Sequence, residues 1–238
     1  MKIVYIRFKT LIITLIALVI ILALTILLIF RFSTDSKETF INDDVYYKGT
    51  VDEKKIAFAC NVDWGNEFIP SMLDVFKEND IKITFFVTGR WSEKNPELLK
   101  MIYEDGHEIG NHGHTHRDYN LLNYDDNREE IKKADFIISN ILGIKLKYFA
   151  PPSGAYNKET IKAANDLGYK VIMWSIDTID WRKDSTKDKI INRVISKHHN
   201  SAIVLMHPKE ETVKALPIII QNLRDRGYTI GSINDIMK

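Results

Sequence analysis

Internal disulfides are excluded at once, because the 238-residue chain carries a single cysteine, Cys60. Stability must come from a buried core, which a domain of about two hundred residues can supply. Excess charge is missing too: the formal net charge is +1, and no basic stripe of the kind that grips nucleic acid is present. There is no internal repeat and no low-complexity tract. No G-x-G-x-x-G follows the first strand-like run, which removes the usual sign of a dinucleotide site. Long apolar runs are limited to one, and it lies at the start.

That run is Leu11 to Phe30, twenty residues without a charge, broken only by Thr14 and Thr25. At ~1.5 Å per helical residue it spans the ~30 Å hydrocarbon core of a bilayer. A buried soluble helix would rarely be so uniformly apolar. A cleavable signal peptide has a shorter apolar region, ~7–15 residues, ending in small side chains, whereas here Phe30-Arg31-Phe32 follows. The run therefore reads as an uncleaved transmembrane signal anchor. Lys2, Arg7 and Lys9 precede it and only Arg31 lies close behind, with Asp35 soon after. The positive-inside rule then puts residues 1–10 in the cytoplasm and the C-terminal domain outside a single-pass cell-membrane anchor. With those four basic residues set aside, 29 Lys and Arg face 32 Asp and Glu. An external partner is expected to be neutral or sugar-like, not nucleic acid.

Residues 31–54 are polar and weakly periodic and read as a stalk; residues 55–238 read as one domain. In it, apolar runs of strand length alternate with amphipathic segments. Strands are expected at Ile56–Val62, Ile83–Thr88, Glu108–Asn111, Leu146–Ala150, Val171–Ser175, Ala202–Met206 and Tyr228–Ser232. Helices are expected near 68–79, 96–104, 126–141, 158–167, 187–199 and 212–226. Leu167-Gly168-Tyr169 and Arg226-Gly227-Tyr228 supply glycines for left-handed helix ends. Such alternation implies an α/β fold with a parallel sheet. About seven strands favour a distorted or incomplete (β/α) barrel over a full eight-unit one, with an open doubly wound sheet as the alternative.

The chemistry concentrates in Asn61-Val62-Asp63-Trp64-Gly65 and, about fifty residues on, His112-Gly113-His114-Thr115-His116. One carboxylate and two imidazoles are a three-ligand set for a catalytic zinc or similar divalent ion. A lone His pair four apart is more often incidental, and Asp63 alone is equally weak. However, Gly110-Asn111-His112 closes a short strand, so these ligands would emerge at the C-terminal sheet edge, which carries the site in parallel α/β folds. Among Trp64, Trp91, Trp174 and Trp181, Trp64 is the best groove candidate because it adjoins Asp63; tryptophans near strands are usually core. Tyr156, just past Pro152-Ser153-Gly154, is a second groove candidate.

Five segments in order resemble the polysaccharide deacetylase family, the NodB-homology domain of carbohydrate esterase family 4, over about residues 53–236. The family's T-F-D-D-G is similar to Cys60-Asn61-Val62-Asp63-Trp64-Gly65. Its H-[ST]-x-x-H resembles His112 to His116, with Gly113 at the second position. R-P-P-x-G resembles Ala150-Pro151-Pro152-Ser153-Gly154, and D-x-x-D-W is intact as Asp177-Thr178-Ile179-Asp180-Trp181. The apolar strand ending in His is Ile203-Val204-Leu205-Met206-His207. The resemblance implies metal-assisted removal of N-acetyl groups from amino-sugar glycans of cell-wall or chitin-like type. It implies that Asp63, His112 and His116 bind zinc or a similar ion, which polarises the acetyl carbonyl. It further implies that His207 is the general acid, held by Asp180, and that Leu205 and Trp181 line the acetyl pocket.

Two positions depart from the pattern and are linked. The family's general base aligns with Asn61, an amide that cannot take a proton, and the Arg that holds that base aligns with Ala150. An Arg beside a neutral Asn would lose its charge partner, so losing both together is physically consistent. An altered hydrolase could use metal-bound hydroxide, with Asn61 positioning it or His114 as a substitute base. Alternatively the domain is a pseudoenzyme that binds metal and glycan without turnover, or a membrane-anchored scaffold.

Overall fold

The computed structural model describes residues 18–23, 25 and 45–237. Residues 18–23 and 25 are helical, and Leu18, Val19, Ile20, Ile21 and Leu22 are exposed. Among the described residues no helix is long and apolar enough to cross a membrane. Most of the expected span 11–30, the expected cytoplasmic segment 1–10 and residues 31–44 of the expected stalk lie outside the described residues.

Residues 45–237 lie in one compact unit. Its strands are β1 (Val45–Tyr46), β2 (Lys55–Val62), β3 (Thr84–Val87), β4 (Glu108–Asn111), β5 (Tyr148–Phe149), β6 (Lys170–Ile172), β7 (Ile176–Asp177), β8 (Ala202–Met206) and β9 (Thr229–Gly231). They form one sheet in the order β1-β6-β5-β4-β3-β2-β8-β7, with β9 also on β2, and every named pair is parallel. No pairing joins β1 to β7, so the sheet is a half-barrel, as the alternation of strand and helix implied. The helices are α1 (Ile69–Glu78), α2 (Gly89–Lys94), α3 (Pro96–Glu104), α4 (Tyr124–Leu142), α5 (Lys158–Asp166), α6 (Lys187–Lys197), α7 (Glu210–Asp225) and α8 (Ile233–Ile236).

The stalk boundary needs correction. Val45 and Tyr46 pair with Val171 and Ile172, and the Gly49 and Thr50 amides donate to the carbonyls of Ser201 and Ile236. Residues 45–54 therefore belong to the domain. A two-residue strand has no periodicity to read, which is why β1 and β7 escape a sequence reading.

Alternation along the strands positions the site. Ile56, Phe58, Cys60 and Val62 of β2 face a core shared with Met72 and Phe76 of α1 and Ile219 and Leu223 of α7. Ala57 and Ala59 face the opposite side, packed with Phe86, Tyr148, Ala150, Ile203, Ile233 and Ile236. Because successive side chains point to opposite faces, the residues continuing this inner set are Asn61 near the end of β2 and Asp63 just after it, Thr88 after β3 and His112 after β4. Leu205 and His207 continue it along β8. All emerge at the C-terminal mouth of one sheet.

Candidate active site

At that mouth lies a pocket of about 360 Å³. Asn61, Asp63 and Trp64 line it from β2, His112 and His116 from the turn after β4, and Leu205 and His207 from β8. Ser153, Trp174, Asp177 and Trp181 complete the wall. Every site residue expected from sequence is in the lining except Asp180 and Tyr156. Asp180 sits behind His207; the Tyr156 hydroxyl instead pairs with that of Tyr47 at 2.6 Å. His114 does not line the pocket either. The left-handed backbone at Gly113 and His116 breaks the strand alternation, and the His114 ring lies on the helix α2 side, where Gly89 leaves room for it, so it is not placed as a substitute base.

His207 is held rigidly. Its Nδ1–H donates to Asp180 Oδ1 at 2.7 Å, and its backbone N–H donates to Oδ2 at 2.7 Å. The Thr212 hydroxyl donates to the same Oδ2. Since a carboxylate only accepts, the ring proton is fixed on Nδ1 and Nε2 is the nitrogen left for a ligand. Trp64 stacks on the imidazole, centroids 5.5 Å apart and 11° from parallel, with Lys209 Nζ 5.3 Å from its ring. One reason for this approach is Gly65. Its φ is +83°, and a Cβ there would fall on the Pro208 carbonyl.

His112 is buried and donates Nδ1–H to the Ala150 carbonyl at 2.7 Å. Burial, then the neighbouring His116, lowers its pKa to about 3, so the ring is neutral with Nε2 as a lone-pair donor. The His112 and His116 rings meet edge-to-face, 5.2 Å apart. Asp63, the expected third ligand, is already engaged. Thr88 Oγ1 donates to its Oδ1 at 2.6 Å, and Arg90 Nη2 pairs with its Oδ2 at 2.5 Å. Among the described residues no group of three or more His, Cys, Asp or Glu side chains stands ready to hold an ion. As folded, the donor set does not fit a divalent metal.

Asn61 is 5% exposed, and its Oδ1 is buried with no hydrogen-bond partner. Ala150 fills the place of a guanidinium with a methyl group, itself packed among Phe86, Tyr148 and Ile203. Gly113, where the family pattern has Ser or Thr, is also dictated locally. Its φ is +72° and a Cβ would fall on the Tyr119 hydroxyl. Sequence reasoning missed Arg90 and Thr88, whose only signal was their place at the end of β3 next to β2. It also passed over Ser153, and ranked Trp174 below Trp64 as a groove residue, whereas Trp174 both packs and lines the pocket.

Comparison with known proteins bears on this geometry. The polysaccharide deacetylase family model matches residues 48–172. The Bacillus subtilis protein YlxY is 40% identical over 191 residues, 80% of this chain and 60% of that protein. The chain thus spans less than two thirds of that relative's length. The peptidoglycan-N-acetylmuramic acid deacetylase PdaA of Bacillus subtilis is 32% identical over 198 residues, 82% of this chain and 75% of the enzyme. Wild-type BA3943 of Bacillus anthracis, a pseudoenzyme of carbohydrate esterase family 4, superposes with a TM-score of 0.78 at 40% identity, over 81% of this chain and 68% of that one. A BA3943 mutant with restored enzymatic activity also superposes at 0.78, with 38% identity, 81% of this chain and 70% of that one. Deacetylases of this kind are generally metal-dependent. On the match to the family model and these identities, the chain belongs to the polysaccharide deacetylase family, as a member divergent at the base and arginine positions.

Proposed function

We propose that the chain is a pseudoenzyme that recognises intact N-acetylated cell-wall glycan in the pocket between Asn61 and His207. The observation that carries this reading is the buried, unpartnered Oδ1 of Asn61. An amide there cannot accept the proton of an attacking water, so the hydrolytic step lacks its base. The same amide can accept from the N–H of an acetamido group and donate to its carbonyl, two bonds that vanish when the acetyl group is gone. A buried polar atom without a partner is costly, so a ligand that satisfies it is selected over one that does not. Leu205, with Trp181 at the rim, supplies apolar surface for the methyl group. The pseudoenzyme BA3943 supports the reading by likeness, and the peptidoglycan deacetylase PdaA supports a wall glycan as the ligand class.

A second reading, a slow N-deacetylase, is favoured by the His207–Asp180 pair, which is arranged as a general acid and its holder. On that reading a divalent ion, zinc by its donor types, would be held by Asp63, His112 and His116 once Arg90 leaves the carboxylate. His207 would protonate the leaving amine. One experiment separates the two: calorimetric binding and acetate release measured on the same N-acetylated and deacetylated chito-oligosaccharides and peptidoglycan fragments, with zinc present. The pseudoenzyme reading predicts binding of acetylated ligand, weak binding of the deacetylated one and no acetate. Acetate release lost in His207→Ala would sink it. By extension of the anchor reading, we place the domain on the outer side of the cell membrane, where such glycans lie.

A further inference from the structure

We propose that Arg90 is a built-in counter-cation for Asp63, occupying the charge position that a divalent ion would need and setting this pocket's affinity for metals. The proposal does not rest on the glycan-reading function; it concerns the disagreement between the expected ligand set and the geometry found.

Asp63 forms a wall between two cavities. On one side is the pocket with His112, His116 and His207. On the other is an open cleft of about 530 Å³ that contains Arg90, Glu67, Asn66 and Lys94. Arg90 reaches Asp63 from this second cleft and does not line the first. The backbone fixes its start: the Gly89 and Arg90 amides donate to the carbonyls of Gly113 and His114, at 2.9 and 3.0 Å. This ties α2 to the turn that carries both histidines. With Thr88 Oγ1 on Oδ1 and Arg90 Nη2 on Oδ2, both carboxylate oxygens already carry a donor.

Each oxygen keeps a second acceptor site, so hydrogen-bond capacity alone would not exclude an ion. Charge does. A divalent ion on Asp63 would sit a few ångströms from a guanidinium, in a place where the Asp63 side chain is only 13% exposed. Binding therefore requires Arg90 to leave first. Its side chain is 43% exposed and the cleft offers Glu67 as an alternative partner, so departure is possible but opposed by a charge-assisted bond. Breaking such a half-exposed pair before binding weakens the metal by ~10-fold or more.

The test titrates the full-length protein with zinc alone, without glycan, by isothermal calorimetry. Wild type, Arg90→Ala and Arg90→Ala with Asp63→Asn are compared. Arg90→Ala should bind one ion per chain ~10-fold or more tightly than wild type, and the added Asp63→Asn should remove the gain. Because the Arg90 side chain is half-exposed, its removal leaves the core untouched, and circular dichroism checks that both variants keep the wild-type fold. Zinc affinity equal in wild type and Arg90→Ala overturns the proposal, as does a gain that survives loss of Asp63. Neither outcome touches acetyl-glycan binding, so failure here and failure of the functional reading are separately visible.

Discussion

Asn61→Asp replaces a neutral amide by a carboxyl group of nearly the same shape at a position 5% exposed. Burial disfavours the ionised form, and Asp63, two residues along the same face, adds a like charge, so the new carboxyl is driven above the ordinary value near 3.9. The sign follows from proton counting. In the unfolded chain the group ionises near 3.9, whereas in the folded chain it keeps its proton to higher pH. The native state then binds the extra proton, and stability falls as pH rises, by ~1.4 kcal/mol per unit, until the folded value is reached. An elevation of ~3 units removes ~4 kcal/mol by pH 7, in line with the ~3–5 kcal/mol typical of an uncompensated buried charge. Adding Ala150→Arg supplies a guanidinium on the same inner face. Admitting a long side chain at a packed alanine costs ~1–3 kcal/mol, yet the pairing lowers the carboxyl pKa and flattens the slope. The assay is urea unfolding at pH 5, 6, 7 and 8, paired with acetate release with zinc present. The single variant should show the pH slope and little release. The double variant should show a shallower slope and release at least ~10²-fold above wild type, as a working general base supplies. A single variant with the wild-type pH profile and the activity of the double would refute the linkage of positions 61 and 150.

Gly113→Ala should destabilise by ~3 kcal/mol, since it combines a left-handed backbone with a clash on the Tyr119 hydroxyl. Tyr119→Phe in that background should recover part of the loss in urea unfolding, and no recovery would place the cost elsewhere. His107 is buried between Phe76 and Phe85 and accepts the Ile83 N–H on Nδ1, and burial lowers its pKa to about 4. Because the unfolded chain takes up that proton near 6.5, wild type should lose ~2 kcal/mol between pH 7 and pH 5, a loss that His107→Gln abolishes. Asp180→Asn should cost ~1–3 kcal/mol whether or not the protein has any activity, because a carboxylate accepting three bonds is replaced by a weaker acceptor. Protease added to intact cells should degrade the domain, and protection until the envelope is opened would reverse the assigned orientation.

Much of this architecture is legible in the amino-acid order because the central strands β2, β3, β4 and β8 run for four to eight residues and helix-ending signals separate the units. Glu108–Asn111 and Ala202–Met206 stand where the sequence reading puts them. The parity of residues 59, 61 and 63 already implies that Asn61 and Asp63 share a face, as they do in the pocket. What stays hidden depends on contacts between distant segments. Nothing local tells that Val45–Tyr46 will seek the edge of β6, or that Arg90 will bend toward Asp63 across two strands. Tyr156 misleads for the converse reason: it follows the Pro-Pro loop in sequence, but Tyr47, from the part read as a stalk, takes its hydroxyl.

Retention of Asp177, Asp180 and His207 argues less for chemistry than their sequence pattern suggests. Asp180 has no exposed side-chain surface and accepts from the His207 ring, the His207 backbone and Thr212, so it ties the end of β8 to the first turns of α7. Asp177 accepts from the Ile179 N–H at 2.6 Å, bracing a turn in which a β-branched residue holds φ near +52°. Arg193 donates to the Thr178 carbonyl of that turn at 2.7 Å. Removing Asp180 would leave the buried Thr212 hydroxyl unpaired, and removing Asp177 would unbrace a strained turn, so structure alone would keep both carboxylates with or without turnover. Asn61 and Ala150 carry no such structural duty, since neither an amide with a free acceptor nor a methyl group holds a neighbour through its side chain. On the pseudoenzyme reading proposed above, the base and its guanidinium are therefore the positions at which hydrolysis can be lost with the fold intact.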